Sequence, residues 1–351
     1  MSGLLYSLVK IVVKTGLYGY HKKIVISGLE NIPKDKPVMF LPNHQSALID
    51  VLLIATDCNR KPYFLTRSDV FKGNFLKRMF SYFQMLPIYR MRDGRDTLSN
   101  NDAIFNSCAE ILNRGEALLL FPEANHNLKR SVRTLSKGFT RILIRTFELY
   151  PDLDVQLIPV GLNYRHAAHF PDEVAIYYGA PISAKSFYDS KDLNKTSFDM
   201  KREVSERLKK LTVHIPNDRG EYEMILDRLN SENADFLNPV STNEKIESYT
   251  HQEQRLSNDT IPRQPKRSLF KFLFTVLNFP VVLIWRTWLK TKVPEVEFMG
   301  TFRFACAIIT YPIYMTLLFA ILSFSLSVYL ACVVLSILTL VNVMLVKYGL
   351  R

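Results

Sequence analysis

A histidine and an aspartate share the stretch Asn43-His44-Gln45-Ser46-Ala47-Leu48-Ile49-Asp50, pairing a titratable base with a carboxylate able to orient it. In one continuous helix the two side chains would sit about 240° apart, on different faces. They meet only if His44 lies in a loop and Asp50 in the first turns of the following helix. Pro42 and Asn43 supply that break. A second polar cluster, Phe121-Pro122-Glu123-Ala124-Asn125-His126, also follows an apolar run, and Lys129, Arg130, Arg133 and Lys137 come after it. Between the clusters, Arg90, Arg92 and Arg95 follow the strand-like Leu86 to Tyr89. Arginine offers paired donors that match phosphate oxygens, so basic loops at strand ends suit a phosphate-bearing ligand. The plainer alternative is a solvated basic face beside anionic lipid.

These residues need elements to hold them. Short apolar runs end in turn residues: Val38 to Leu41 before Pro42, Ala117 to Phe121 before Pro122, Leu157 to Val160 before Gly161, and Val174 to Tyr178 before Gly179. Helical patterns alternate with them at Leu48 to Ile54 and Ala103 to Leu112, the latter closed by Gly115. The alternation predicts an α/β body over residues 22–190, a mostly parallel sheet flanked by helices. In such sheets polar sites collect beyond the strand carboxyl ends, where both clusters fall. Residues 191–267 read as a helical extension and a mobile linker. Met200, Val204, Leu208 and Leu211 make a helix stripe, and 230–266 is rich in Ser, Asn, Thr, Glu and Gln.

Composition bounds the rest. The chain has 351 residues, 48% of them hydrophobic, and carries a net charge of +12 with a pI near 9.4. That excludes wholesale disorder, and four cysteines are too few for a small disulfide scaffold. Their spacing shows no metal-type pairing, so all four read as reduced thiols. Residues 268–351 form a membrane domain. From Phe304 to Val346 there are 43 residues without Lys, Arg, Asp, Glu or His, room for two spans of about 20 residues. Ser323, Ser325 and Ser327 mark the turn between them. Arg303 before the run, with Lys347 and Arg351 after it, places both ends and the catalytic body on the cytoplasmic face. Residues 272–285, interrupted by Asn278 and Pro280, are short for a span and read as re-entrant or interfacial. Residues 1–21 read as an amphipathic membrane-associated helix, with Leu4, Leu8 and Ile11 on one face and Lys10 and Lys14 on another. The positive charge therefore points to membrane lipids rather than nucleic acid, for which no motif is present.

Taken together, the clusters resemble the glycerophospholipid acyltransferase family, typified by the 1-acylglycerol-3-phosphate O-acyltransferases. His44 through Asp50 resembles the family's first motif, and Leu86-Pro87-Ile88-Tyr89-Arg90 its second. Phe121-Pro122-Glu123-Ala124 is similar to the third, normally Phe-Pro-Glu-Gly with an Arg soon after. Leu157-Ile158-Pro159-Val160-Gly161 and Tyr178-Gly179-Ala180-Pro181-Ile182 are similar to the fourth and to the closing element. The match in order and spacing covers about residues 20–190. There are three departures: five residues rather than four separate His44 from Asp50, Ala124 replaces Gly, and Asn125-His126 stands where Thr-Arg is common.

The resemblance implies an O-acyltransferase with the family's α/β fold. It would move a fatty acyl group from an acyl-CoA or acyl carrier protein thioester to a lysophospholipid, making phosphatidate in phospholipid biosynthesis. His44 and Asp50 would be catalytic, Arg90 would contact the acceptor phosphate, and Glu123 would orient the acceptor or a basic neighbour. Arg133 or Lys137 would stand in for the missing Arg. No cofactor and no metal are implied. Another lysolipid or glycerol phosphate as acceptor, and a non-catalytic lipid-binding role, are the alternatives. A lipid hydrolase lacks its Gly-x-Ser-x-Gly elbow. His166 and His169 lack an acidic or Cys partner for a metal.

Overall fold

A computed structural model describes residues 2–68, 83–89, 100–216, 220–250 and 269–350. Helix α1 (Ser2–Tyr20) leads into an eight-stranded sheet of β1 (Lys23–Ser27), β2 (Val38–Pro42), β3 (Pro62–Arg67), β4 (Met85–Ile88), β5 (Ala117–Leu119), β6 (Gln156–Tyr164), β7 (Glu173–Tyr178) and β8 (Ile182–Ser183). The strand order is β1-β7-β6-β2-β5-β3-β4, with β8 pairing β6. All pairs are parallel except those of β6 with β7 and β8. This is the mostly parallel sheet that the alternation of elements predicted.

Successive side chains of the central strands point to opposite faces, so a strand covered on both sides is apolar throughout. Met39, Leu41, Leu118 and Leu157 pack under α3 (Asn100–Asn113), α4 (Gly138–Leu149) and α5 (Leu193–Leu211). Val38, Phe40, Leu119 and Ile158 face α1 and α2 (Ala47–Asp57). Helix α5 packs into the same core through Met200, Val204 and Leu208. Its end lies so close to β6 that a Cβ at Gly161 would sit 2.1 Å from the Leu211 carbonyl oxygen, a contact only glycine permits.

The stretch read as a mobile linker is partly ordered. Helices α6 (Tyr222–Ser231) and α7 (Pro239–Thr250) enclose a small core of Ile225, Leu229, Phe236 and Ile246. A polar average concealed these few apolar residues. Residues 251–268 lie outside the described residues.

The C-terminal region holds α8 (Leu269–Leu277), α9 (Phe279–Ile284), α10 (Met299–Ser325) and α11 (Val328–Met344). Two helices, Val296–Ser325 and Val328–Gly349, are long and apolar enough to cross a membrane. Ser327 caps the second by accepting from the Leu330 N–H, within the serine-marked turn. Ile309, Ile313, Leu317 and Ile321 are exposed along one face, a stripe suited to hydrocarbon rather than water. The segment read as re-entrant or interfacial is a pair of helices bent by 97° at Asn278. Pro280, in the first turn of α9, breaks the helix there.

Helix α1 is docked at one end. Leu17 and Tyr20 are buried against the sheet, whereas Leu4, Leu5, Leu8, Ile11 and Val12 are exposed. Lys14 pairs with Asp57 at 2.8 Å, fastening α1 to the end of α2. Lys347, at the far end of the second apolar helix, donates to the carbonyls of Tyr18 and His21 and caps α1.

Candidate active site

β2 and β5 are neighbours, so the loops after them emerge side by side. This brings His44 next to Phe121 and Glu123. His44 stacks on the Phe121 ring with centroids 3.8 Å apart and planes 19° from parallel. The two loops are also stitched together by the Asn127 N–H donating to the His44 carbonyl at 3.0 Å.

Asp50 occupies the first turn of α2 and is fully buried. Its Oδ2 accepts from His44 Nδ1 and from the backbone N–H groups of Gln45 and Ser46, each at 2.8 Å. Its Oδ1 accepts from the Tyr164 hydroxyl at 2.5 Å. A carboxylate at a helix N-terminus, holding donors that precede the helix, is favoured by both the helix dipole and the unpaired N–H groups. The five-residue spacing does not separate the pair, because Ala47 takes a left-handed φ of 41° at the helix start.

The hydrogen bond distinguishes the two ring nitrogens. With Nδ1 donating to Asp50, Nε2 is the nitrogen left to accept a proton. Tyr164 keeps its own proton: burial, and then the Asp50 charge beside it, push the phenol well above its ordinary range. It is therefore a permanent donor that fixes the second carboxylate oxygen. Sequence reasoning passed over Tyr164, which stands 114 residues from Asp50 at the end of β6.

The basic residues divide by role. Arg133 clasps Glu123: its Nε and an Nη lie 3.1 and 2.5 Å from Oε2, its backbone N–H donates to Oε1, and it also bonds the Asn125 carbonyl. Glu123 is thus paired with a basic neighbour, and the loop after β5 is closed by that pair. Arg130 donates to the carbonyls of Tyr164 and Arg165 at 2.8 Å and stacks on Phe236, bracing the end of β6. Lys137 is exposed at the N-cap of α4, where its carbonyl accepts from Thr140, and it joins no contact of the His44 cluster among the described residues. Arg90, with Arg92 and Arg95, lies outside the described residues. Ala124, in the place of the family's glycine, holds a φ of 64°.

His126 reaches the site from the same loop. Its ring meets His44 edge-on with centroids 5.6 Å apart, and Phe298 on its other side at 4.7 Å. His166 and His169, 5.1 Å apart, line a separate cavity of about 250 Å³ beyond Gln45 and Tyr164. What the central arrangement can do is general base catalysis by a histidine held in one tautomer, beside the apolar helices.

The family described as Acyltransferase matches residues 23–163. An uncharacterized acyltransferase of Schizosaccharomyces pombe is 28% identical over 85 residues, covering 24% of this chain and 13% of that protein. A chloroplastic 1-acyl-sn-glycerol-3-phosphate acyltransferase of Arabidopsis thaliana is 27% identical over 156 residues, 44% of this chain and 40% of the relative. Glycerol-3-phosphate O-acyltransferase 1 of Saccharomyces cerevisiae is 21% identical over 128 residues, 36% of this chain and 17% of the relative. The chain thus spans less than half the length of each. The crystal structure of the 1-acyl-sn-glycerophosphate acyltransferase PlsC from Thermotoga maritima aligns with a TM-score of 0.42 and 21% identity, over 58% of this chain and 80% of that one.

Proposed function

We propose that this chain, whose residues 23–163 match the family described as Acyltransferase, transfers a fatty acyl group from an acyl thioester to a lysophospholipid hydroxyl. The first acceptor to test is 1-acylglycerol-3-phosphate, giving phosphatidate. His44 paired to Asp50 at 2.8 Å is the observation that carries this reading.

A hydroxyl is a poor nucleophile at neutral pH, so the base must act as the bond forms. His44 Nε2 takes the acceptor's proton while its oxygen attacks the thioester carbonyl carbon. The tetrahedral adduct collapses, breaking the carbon–sulfur bond. The departing thiolate takes the proton from the imidazolium, and the ester is released. Asp50 accepts from Nδ1–H and stabilises the imidazolium through it. No enzyme nucleophile enters, and none is required. The apolar helices hold the site at the bilayer surface, where both acyl chains reside, and the basic ends of the 304–346 run support a cytoplasmic orientation.

One observation favours a second acceptor. Arg133 is committed to Glu123, so it supports the fold of the loop rather than a phosphate. A lysolipid with a different headgroup is accordingly the second reading. Incubating the purified full chain with radiolabelled acyl-CoA, or acyl carrier protein thioester, against a panel of lysolipids and glycerol phosphate tests these acceptors. Labelled diacyl product from lysophosphatidate supports the first reading; product only from another acceptor supports the second; no product from any acceptor or donor overturns both.

A further inference from the structure

Beside the catalytic histidine lies a cluster that acid–base chemistry does not use. His126, Glu295 and Glu297 bring one imidazole nitrogen and two carboxylate oxygens within 4.8 Å of one another. The histidine comes from the loop after β5, and the glutamates from the segment entering the first apolar helix. His126 Nε2 lies 2.9 Å from Glu295. Its ring is held between His44 and Phe298, so its direction is set by packing. Glu297 has no ion-pair partner among the described residues, which leaves two carboxylates against at most one imidazolium.

That charge balance is unexpected here. Of the nearby cations, Arg133 is bound to Glu123, Arg130 to backbone carbonyls, and Lys129 lies over the Tyr222 ring. Two carboxylates one ring away from His44 would repel an anionic acceptor or the phosphates of an acyl-CoA. A bound cation reverses the sign of that field.

We propose that His126, Glu295 and Glu297 bind a divalent metal ion beside His44. One imidazole and two carboxylates suit manganese or zinc better than magnesium, which prefers oxygen alone. Ligand atoms about 2.1 Å from a metal lie no more than about 4.2 Å from each other. The 4.8 Å spread is therefore within a small side-chain adjustment of a common centre, and Glu295 is exposed and free to move. Three protein ligands leave coordination positions open, which an anionic oxygen of acceptor or donor can fill. This role rests on the proposed acyl transfer; metal binding itself does not.

The test is a manganese titration of the full chain in zwitterionic lipid nanodiscs, without substrate, followed by the paramagnetic resonance of free Mn²⁺. Wild type is expected to withdraw one more ion per chain than His126→Ala. Glu297→Gln, isosteric at its site, is expected to weaken binding by on the order of 10-fold or more. Equal titrations for the three proteins overturn the site, whatever their acyl transfer. Wild-type acyl transfer is expected to fall on chelation and recover with Mn²⁺, whereas Glu297→Gln is expected to start from the lowered rate and to need on the order of 10-fold more Mn²⁺ to rise. A wild type that takes up the extra ion yet forms no acyl product sustains the metal site and overturns the enzymatic reading alone.

Discussion

Thr301, in the first turn of α10, accepts a hydrogen bond from the backbone N–H of Leu48 at 3.2 Å. Leu48 lies in the first turn of the helix that carries Asp50, so the entry of an apolar helix touches the frame of the His44–Asp50 pair. Gly300 reinforces the contact. A Cβ there would stand 3.1 Å from Ser46 Oγ, and the Ser46 N–H holds Asp50. Arg303 and Phe304 continue the seam, onto the Ala168 carbonyl and into the core beside Leu17.

From this seam, Gly300→Leu is expected to displace Ser46 and lower kcat by an order of magnitude or more, with the KM for thioester little changed. Thr301→Val removes one exposed bond, worth roughly 0.5–1.5 kcal/mol, and its effect should be correspondingly smaller. Steady-state kinetics on both variants checks this. Unchanged kcat in Gly300→Leu would show that the helix is only a tether.

Two buried groups near the end of α1 oppose each other in pH. Burial pushes His21 down to about 4 and Asp172 up to about 6. Unfolding lets His21 take a proton between pH 6.5 and 4, so its contribution to stability is lost as pH falls through that window. Asp172 gives up a proton on unfolding between pH 3.8 and 6, so its contribution is lost as pH rises there. Each spans about 3 kcal/mol, and they nearly cancel. Asp172→Asn should therefore expose the histidine: melting temperature in detergent should drop from pH 6.5 to 4.5 more steeply than in wild type. Parallel pH profiles would contradict the assignment.

At the bend of the α8–α9 pair, Asn278 and Asn342 exchange amide hydrogen bonds at 2.7 and 3.2 Å, and both are buried. Tyr314 donates to the Leu277 carbonyl, which the bend exposes. In an apolar surrounding such a pair locks one arrangement of helices. Asn278→Leu and Asn342→Leu should each destabilise the fold. A double-mutant cycle should give a coupling of roughly 0.6–2 kcal/mol. Additive losses would mean that the two amides act independently.

Much of this site was legible in the sequence because its first ligands are local. His44 and Asp50 are joined across one loop–helix boundary, and an alternating pattern suffices to place that boundary. Glu123 was legible as a residue after a strand, and β2–β5 adjacency then brings it to His44. Tyr164 and Thr301 were not legible, because each reaches the site through tertiary packing of an element whose own pattern reports only burial. The partner of Arg133 was not legible for a related reason: composition announces a cation, whereas only geometry shows that Glu123 holds it. Within the stretch read as a linker, Pro239–Thr250 is a helix whose Ile246 packs with Ile225, Leu229 and Phe236, a long-range contact that a polar average conceals.

The central claim is that His44, held by Asp50, is the base of acyl transfer. The most direct measurement is the single-turnover rate of labelled acyl transfer by the full chain, comparing wild type with His44→Ala and Asp50→Asn. His44→Ala is expected to lose transfer while keeping the wild-type melting profile. Asp50→Asn should lose about 10⁴-fold, since the amide breaks the tautomer that leaves Nε2 free. Near-normal transfer by a folded His44→Ala would contradict the account and move the search for the base to His126.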